Sequence, residues 1–405
     1  MALSQVPHCC ACFCHSGQSE PEGRLNCGLS NFLRRITMSF KDHIRTWMPV
    51  LALLLIAPEL RAQASYVTPD EAQEITFTPG LRIQTRYVHD RIDRNNDFFI
   101  RRLRLKGKGK AFDLANYYFE VKIDNAGRYN RQPRAEVENA WLNFALKPGL
   151  AIRVGFYDMV FSRNALTSDS KLLLMDRSLI KGALTKLGVA DNTVGVLVFG
   201  RPLAGHLTYG AGIFDNIGFE VEGSATTLER KANGAMTTGR LVYDFLDPAP
   251  IWGYADYRGS YIGQGHRLSI GASAGYLSRA RIGEREFRLV AWGADLFFNY
   301  GRWTFEAEYD QYKEEMFTSV PDIDGEGWYA QGGFLLVPNL ELAARHQELD
   351  ANKNVAGDKL QWTTLGFNIY LRGHQLKIQT EYTFKKEQGD PLNNNVFQVQ
   401  LQLDY

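Results

Sequence analysis

The sequence predicts an all-β protein, a transmembrane antiparallel β-barrel of about 16 strands with one long inward-folded loop. Three observations predict this fold class: an export signal near the N-terminus, alternation of apolar and polar residues along most of the chain, and a regular succession of short and long connections. The composition agrees with them, because 19 Tyr, 24 Phe and 37 Gly with only 14 Pro suit many strands and tight turns.

A cleaved secretory signal peptide is predicted at residues 38–64. Two basic residues come first, the stretch 47–58 is apolar but too short to span a bilayer as a helix, and 62–64 (Ala-Gln-Ala) forms a small-x-small cleavage site. The mature chain would therefore begin at Ser65. An uncleaved membrane anchor is disfavoured by the short apolar run, and a lipoprotein is disfavoured because no cysteine follows the cleavage site.

Residues 1–37 precede this signal and are interpreted as an upstream extension, from a misassigned start codon, or as a part removed with the signal. They contain all five cysteines of the chain, Cys9, Cys10, Cys12, Cys14 and Cys27. Together with His8 and His15 the first four resemble a metal site, but their spacing fits no standard zinc pattern. Residues 65–77 are predicted to form a short periplasmic segment and residues 78–405 the barrel.

Net charge gives little guidance to partners. The whole chain has a formal net charge of +1, and the predicted mature part is also close to neutral. No nucleic-acid partner is expected, and any charge-based function must come from a local arrangement of residues. No apolar run long enough for a transmembrane helix follows the signal, so none is predicted.

Period-two alternation is clearest at the C-terminus. One face of the last strand carries Phe397, Val399, Leu401, Leu403 and Tyr405, and the other carries Gln398, Gln400, Gln402 and Asp404. A terminal strand that ends on an aromatic residue is typical of bacterial outer-membrane barrels and is read by the barrel assembly machinery. The alternative, an amphipathic strand of a soluble sandwich, is disfavoured by the export signal and by the number of similar segments.

Sixteen alternating segments are predicted as strands. They lie near residues 80–90, 99–111, 115–125, 136–146, 150–157, 193–200, 206–214, 237–246, 266–278, 286–300, 302–313, 326–336, 340–349, 361–371, 374–386 and 395–405. Connections after even-numbered strands are mostly tight and those after odd-numbered strands mostly long, as in a membrane barrel with short periplasmic turns. The exception is 247–265, which should be short and is not, so that either a bend is missed there or the count is locally off.

The bilayer gives the polar faces of these strands a role. Inside lipid every backbone N–H and C=O must be paired, so a closed barrel is stable where an open sheet is not. The apolar face then contacts lipid, and the charged face must contact water. Because a barrel of about 16 strands is wide enough for an aqueous channel, the polar rows are interpreted as a pore lining.

The densest charge pattern is a basic row on the second strand, flanked by Arg82 and Arg86 on the first. Its members are Arg102, Arg104, Lys106, Lys108 and Lys110. Alternate residues of an extended strand lie about 6.5 Å apart, so the row is a candidate anion ladder. The alternative is a wall neutralised by acids across the lumen, namely Glu120, Asp124, Glu306, Glu308 and Asp310.

The longest connection, 158–192, follows the fifth strand and is predicted to fold inward as a constriction loop. Its basic candidates are Arg163, Lys171, Arg177, Lys181 and Lys186, and its acids are Asp158, Asp169, Asp176 and Asp191. A short helix is expected inside the loop, where 171–175 is followed by Asp176, Arg177 and Ser178. The alternative is an external lid without influence on selectivity.

No enzymatic activity, metal or cofactor is predicted. Barrel hydrolases need a Ser–His pair with an orienting partner. None of the histidines after the signal lies in a recognisable hydrolase motif; they are His89, His206, His266, His346 and His374. The sequence contains no phosphate-cradling Walker loop either.

Several short stretches resemble the phosphate-selective porin O and P family. They are residues 101–109 (RRLRLKGKG), 153–157 leading into 161–162, 175–178 and 340–345. The resemblance covers roughly 78–405 and implies a 16-stranded, usually trimeric barrel with a basic pore wall and an inward third loop. Since well-known members bind phosphate or polyphosphate through basic residues, it also implies that the row from Arg102 to Lys110 binds anions.

The expected function is that of a porin in the outer membrane of a Gram-negative cell, giving passive, anion-preferring diffusion of small solutes such as phosphate. Expected partners are outer-membrane lipid and lipopolysaccharide, the barrel assembly machinery through the C-terminal strand, further copies in a homotrimer, and small anionic solutes. The alternatives are a general diffusion porin without anion selectivity and a structural or adhesive surface barrel. Conductance in a planar bilayer separates a channel from the last of these.

Overall fold

The structure is a computed structural model and describes residues 75–90, 96–129, 131–147, 149–215, 230–232, 234–251, 253–282, 285–387 and 394–405. The predicted extension at 1–37 and the predicted signal peptide at 38–64 lie outside these residues, as does most of the predicted segment 65–77.

Seventeen strands lie within the described residues. They are β1 Thr78–Asp90, β2 Asn96–Ala111, β3 Ala115–Ala126, β4 Ala135–Lys147, β5 Leu150–Asp158, β6 Asn192–Gly200, β7 Leu207–Phe214, β8 Arg230–Ala232, β9 Met236–Asp244, β10 Arg267–Ile282, β11 Arg285–Tyr300, β12 Trp303–Met316, β13 Ile323–Val337, β14 Leu340–Asp350, β15 Leu360–Arg372, β16 Leu376–Glu387 and β17 Val396–Asp404. The predicted bounds agree with these to within a few residues.

Antiparallel pairing closes the sheet into a barrel. Neighbouring strands pair in chain order, and β1 pairs with β2 on one side and with β17 on the other. The short β8 shares one position with β9, since both pair with β10. The described strands therefore fill sixteen positions of a closed antiparallel barrel, which confirms the predicted β-barrel and its strand count.

The faces of the barrel wall are inverted relative to those of a soluble protein. On β12 the acids Glu306, Glu308 and Asp310 are only 1%, 3% and 1% exposed, while the alternating Trp303 and Phe305 are 60% and 39% exposed. A wall with a polar inner face and an apolar outer face suits a barrel surrounded by lipid.

The connection between β5 and β6, residues 159–191, contains two helices, α1 (Arg163–Leu166) and α2 (Leu179–Lys186). The prediction of a short helix inside this loop is confirmed, but 172–178 is non-helical and α2 begins only after Ser178, whose side chain accepts a hydrogen bond from Lys181 N. Three 3₁₀ turns complete the helical elements of the described residues: Phe112–Leu114, Asp169–Lys171 and Leu203–Gly205.

None of the helices in the described part of the chain is long and apolar enough to cross a membrane.

Part of the barrel wall carries apolar side chains or glycine on its inner face. Leu277 of β10 and Phe287 of β11 are fully buried in one cluster with Phe161 and Val189 of the β5–β6 connection. Gly275 makes room for this packing, since a Cβ there would lie 3.2 Å from Val189 Cγ1. The interpretation of the inner rows as polar therefore fits β1, β2 and β12, but not this part of the wall.

The connections divide between two ends of the barrel, here called the loop end, where β1 and β5 finish, and the turn end, where β2 and β4 finish. Connections at the turn end are mostly short, such as 301–302 and 338–339. The exception predicted at 247–265 is real, because β9 ends at Asp244 and β10 begins at Arg267. The count is not locally off, since the sheet keeps its sixteen positions and no strand lies in the described residues of this connection, which form turns and bends at 245–247 and 253–254.

Candidate functional site

A cavity of about 1330 Å³ lies against β1–β5 and is the candidate pore. It is also lined by the β5–β6 connection and by residues 254–256 of the β9–β10 connection. Among the described residues that line it, thirteen are Lys or Arg and nine are Asp or Glu. The candidate pore is therefore basic, although the chain as a whole is close to neutral.

The arginines of β1 and β2 lie on neighbouring strands, and Arg82, Arg102 and Arg104 line the cavity whereas Arg86 does not. Arg82 is opposite Arg104 in the antiparallel register. Four of these arginines are buried, and three of them contact one acid each: Arg82–Asp404 at 3.3 Å, Arg86–Asp176 at 2.9 Å and Arg102–Asp169 at 3.2 Å. Because two of these acids belong to the β5–β6 connection, the basic wall and that connection are joined by ion pairs.

Arg104 and Lys106 are also paired. Arg104 lies 3.1 Å from Glu120, contacts Asp124 and lies 3.7 Å from Glu138. Lys106 contacts Asp404. Glu120 and Asp124, two of the five acids considered as neutralising partners, therefore do bind the basic row.

The last two members of the basic row differ from the others. Lys108 and Lys110 are exposed and line the cavity. Within the described part of the chain, neither side chain has an acidic partner within 4 Å. The row thus has a neutralised part from Arg102 to Lys106 and a part with uncompensated positive charge near the turn end.

Wall side chains bind the backbone of the β5–β6 connection, which explains why 172–178 is not helical. Lys377 Nζ donates to Leu172 O at 3.1 Å, and Asn368 Nδ2 donates to Leu173 O at 2.9 Å. A helix would need these carbonyl oxygens for its own hydrogen bonds.

Of the predicted constriction residues, Arg163 lies away from the cavity. Its Nε is 3.1 Å from Glu306 Oε2, and both side chains are 1% exposed. Glu306, considered above as a possible partner of the basic row, therefore compensates the charge of Arg163 in the β5–β6 connection instead. Glu308 accepts a hydrogen bond from Asn164 N at 3.0 Å and also belongs to this contact.

The other predicted constriction residues line the cavity. Lys171 is 2.6 Å from Asp256, and Arg177 is 3.0 Å from Asp169. Burial alone would raise the pKa of Asp169, but Arg102 and Arg177 outweigh it and hold that pKa well below its usual range. Lys181 has no acid within 4 Å among the described residues, and burial together with nearby Arg177 lowers its pKa.

The family model described as "Phosphate-selective porin O and P" matches residues 79–405. The chain belongs to this family. An uncharacterized protein of Aquifex aeolicus (strain VF5) is 25% identical over 392 residues, which cover 83% of this chain and 91% of that protein. The family and the fold together place this porin in the outer membrane as a diffusion channel.

Solved outer-membrane proteins share the fold of this porin at low sequence identity. Salmonella typhi OmpF in complex with daunomycin has a TM-score of 0.57 at 10% identity, with 81% of this chain and 97% of that chain covered. The anion-selective porin from Comamonas acidovorans has a TM-score of 0.54 at 13% identity, with 82% and 100% covered. The trimer form of OmpT of Vibrio cholerae has a TM-score of 0.54 at 10% identity, with 82% and 99% covered.

Sequence reasoning did not single out Arg153, which lines the cavity of this porin. Its guanidinium carbon lies 3.8 Å from the ring centroid of Trp141 and 4.8 Å from that of Tyr254, and its Nε donates to Asn143 Oδ1 at 2.7 Å. Arg153 is only 4% exposed and lacks an acid within 4 Å among the described residues. Its place on the inner face of β5, at the alternate positions of that strand, was the available signal.

Proposed function

We propose that this porin prefers small anions. The observation that carries the proposal is the balance of unpaired charge around the cavity. Five of the described basic lining residues have no acid within 4 Å: Lys108, Lys110, Arg153, Lys181 and Lys186. Only two of the described acidic lining residues, Asp158 and Asp191, lack a basic partner at that distance.

Fixed positive charge along a narrow aqueous path stabilises an anion that has lost part of its hydration shell and repels a cation. Inorganic phosphate and similar small anions are the proposed solutes, as the family description suggests.

We also propose that the β5–β6 connection narrows the pore from within the barrel. Its ion pairs reach Arg86 and Arg102 on β1 and β2, and Arg163 reaches Glu306 on β12. The inner faces of these strands lie on different sides of the barrel, and a segment must cross the interior to contact them all. This arrangement favours a constriction over an external lid.

A general diffusion porin without anion preference is the second candidate. It is favoured by the neutralised part of the basic row, where Arg82, Arg102, Arg104 and Lys106 all contact acids. A homotrimer in lipopolysaccharide-containing membrane, inserted by the barrel assembly machinery through β17, is proposed in either case.

The deciding experiment changes the uncompensated lysines and measures selectivity in planar bilayers. Lys108→Gln with Lys110→Gln should move the reversal potential under a KCl gradient towards cation preference. The effect should be strongest in dilute salt, because the Debye length is about 10 Å at 0.1 M and about 3 Å at 1 M.

The matched control is Lys359→Gln with Lys385→Gln, which removes two lysines that do not line the cavity. It should leave the reversal potential unchanged. Equal reversal potentials for the test pair and the wild-type porin would favour the general diffusion porin.

A further inference from the structure

The long β9–β10 connection is an exception among the mostly short connections of the turn end. It covers residues 245–266, here called the inner brace, and starts from the turn end of the barrel. The β5–β6 connection starts from the loop end. The two connections nevertheless meet, although they leave the wall at opposite ends.

Backbone hydrogen bonds join the inner brace to the β5–β6 connection. The amides of Asp256 and Tyr257 donate to Leu166 O at 3.1 and 3.3 Å, and Ser168 N donates to Tyr257 O at 3.3 Å. Further along, Gly259 N donates to Lys171 O at 2.9 Å. These bonds form a short parallel ladder, with Thr167 bridged to Tyr257.

Side chains hold the inner brace on its other side. Ser260 Oγ donates to Glu341 Oε1 of β14 at 2.8 Å, and Ser260 O lies 2.8 Å from His374 Nε2. Tyr257 is 1% exposed and lies under the guanidinium of Arg163, at 4.7 Å from the ring centroid. The brace is therefore fixed between the wall and the β5–β6 connection.

One acid of the inner brace faces the cavity. Asp256 lines it and lies 2.6 Å from Lys171 Nζ, and the two side chains are 43% and 21% exposed. The backbone of Asp256 has φ of +74°, a left-handed conformation that is unfavourable for a residue other than glycine. Such a conformation persists only where the surroundings fix it, as the ladder to Leu166 does here.

We propose that the inner brace is a second pore-narrowing element and that Asp256 is a selectivity-determining residue, which cancels the charge of Lys171 at the pore edge. The inference rests on the proposed function, since it assigns a residue that limits the anion preference of the same pore. A small anion passing this point meets a neutral pair instead of a free lysine.

The test is a double-mutant cycle on Asp256 and Lys171, in which reversal potentials are measured in dilute KCl. Asp256→Asn keeps the side-chain shape and leaves Lys171 uncompensated, so the anion-to-cation permeability ratio should rise roughly twofold or more, as expected for one unit charge several ångströms from the ion path. Lys171→Gln should lower the ratio. The double variant should return it close to the wild-type value, because the net charge of the pair is restored.

The matched control is Asp215→Asn, an exposed residue at the end of β7 that does not line the cavity. It makes the same charge change and should leave the ratio unchanged. A ratio that is the same for Asp256→Asn and wild type, or a shift of equal size for Asp215→Asn, overturns the assignment of Asp256.

A second measurement tests the narrowing directly. All five cysteines of the chain lie at or before Cys27, so the barrel residues contain none. Asp256→Cys, treated with a bulky thiol reagent, should lose single-channel conductance, while Asp215→Cys should react without loss. Modification of the cysteine at 256 with unchanged conductance overturns the proposal that the brace narrows the pore.

The outcomes separate this inference from the proposed function. If the wild-type protein shows no conductance, both the proposed function and the inference about the inner brace are wrong. A conducting, anion-preferring porin that responds to the Lys108 and Lys110 changes but not to Asp256 changes keeps the proposed function and removes only the inference.

Discussion

The buried ion pair between Arg163 and Glu306 should control how firmly the β5–β6 connection is held. Arg163 Nε is 3.1 Å from Glu306 Oε2 and both side chains are 1% exposed, so neither charge has water to replace its partner. Removing one partner of such a pair typically costs about 3–5 kcal/mol. Tyr329 and Gln331 also donate to Glu306 Oε1, at 2.5 and 3.3 Å, and this places the expected loss at the lower end, about 3 kcal/mol.

The change is Arg163→Met, and the measurement is amide hydrogen exchange of residues 159–191 in lipid vesicles. A loss of about 3 kcal/mol in local opening free energy corresponds to roughly a hundredfold faster exchange. Adding Glu306→Gln should restore most of the protection, because no uncompensated charge then remains buried.

The control is Arg288→Met, which breaks the exposed pair with Glu315. Exposed pairs contribute at most about 1 kcal/mol, so exchange in 159–191 should stay unchanged. If exchange is as slow for Arg163→Met as for wild type, or if Glu306→Gln gives no recovery, the pair does not hold this connection.

Three further predictions concern the pore and its assembly. Burial lowers the pKa of Lys181 below the ordinary lysine value of about 10.4, so Lys181 should lose its charge at a lower pH than other lysines. The anion preference should therefore begin to fall early as the pH rises. Reversal potentials measured over a range of pH should show this fall for the wild-type porin but not for Lys181→Arg. Deletion of α2 should raise single-channel conductance in bilayers, and an inserted variant with wild-type conductance would place the connection outside the pore. Tyr405→Ala should lower the amount of heat-modifiable barrel in outer membranes, and unchanged levels would argue against a role of the terminal aromatic in assembly.

The wall of the barrel could be predicted because its signal is local. Alternation on β12 already separates Trp303 and Phe305 from Glu306 and Glu308, and the structure exposes the first two and buries the others. A period of two follows from strand geometry alone and needs no knowledge of distant residues. The sixteen strand positions were predictable for the same reason.

The contents of the barrel could not be predicted in the same way. Asp169 and Asp176 meet Arg102 and Arg86 across long separations in sequence, and alternation carries no information on such pairs. The apolar inner face near Leu277 looks like any alternating strand until the packing against the β5–β6 connection is known. The period identifies a face but not what covers it.

The inner brace could be predicted in part: its length could be predicted from the sequence, but its contacts could not. The sequence showed that 247–265 was too long for a turn, and the structure confirms its length. Its contacts with Leu166 and Lys171 depend on a second irregular segment, for which no periodic pattern exists.

We expect the uncompensated positive charge around the cavity to make this outer-membrane porin prefer anions. The most direct measurement is the reversal potential of the wild-type channel in a planar bilayer under a KCl gradient, first in dilute and then in concentrated salt. An anion-preferring pore gives a potential of the sign set by chloride permeation, and this potential shrinks as the salt concentration rises because the lysine charges are screened. A potential of the opposite sign, or one near zero in dilute salt, would contradict this expectation.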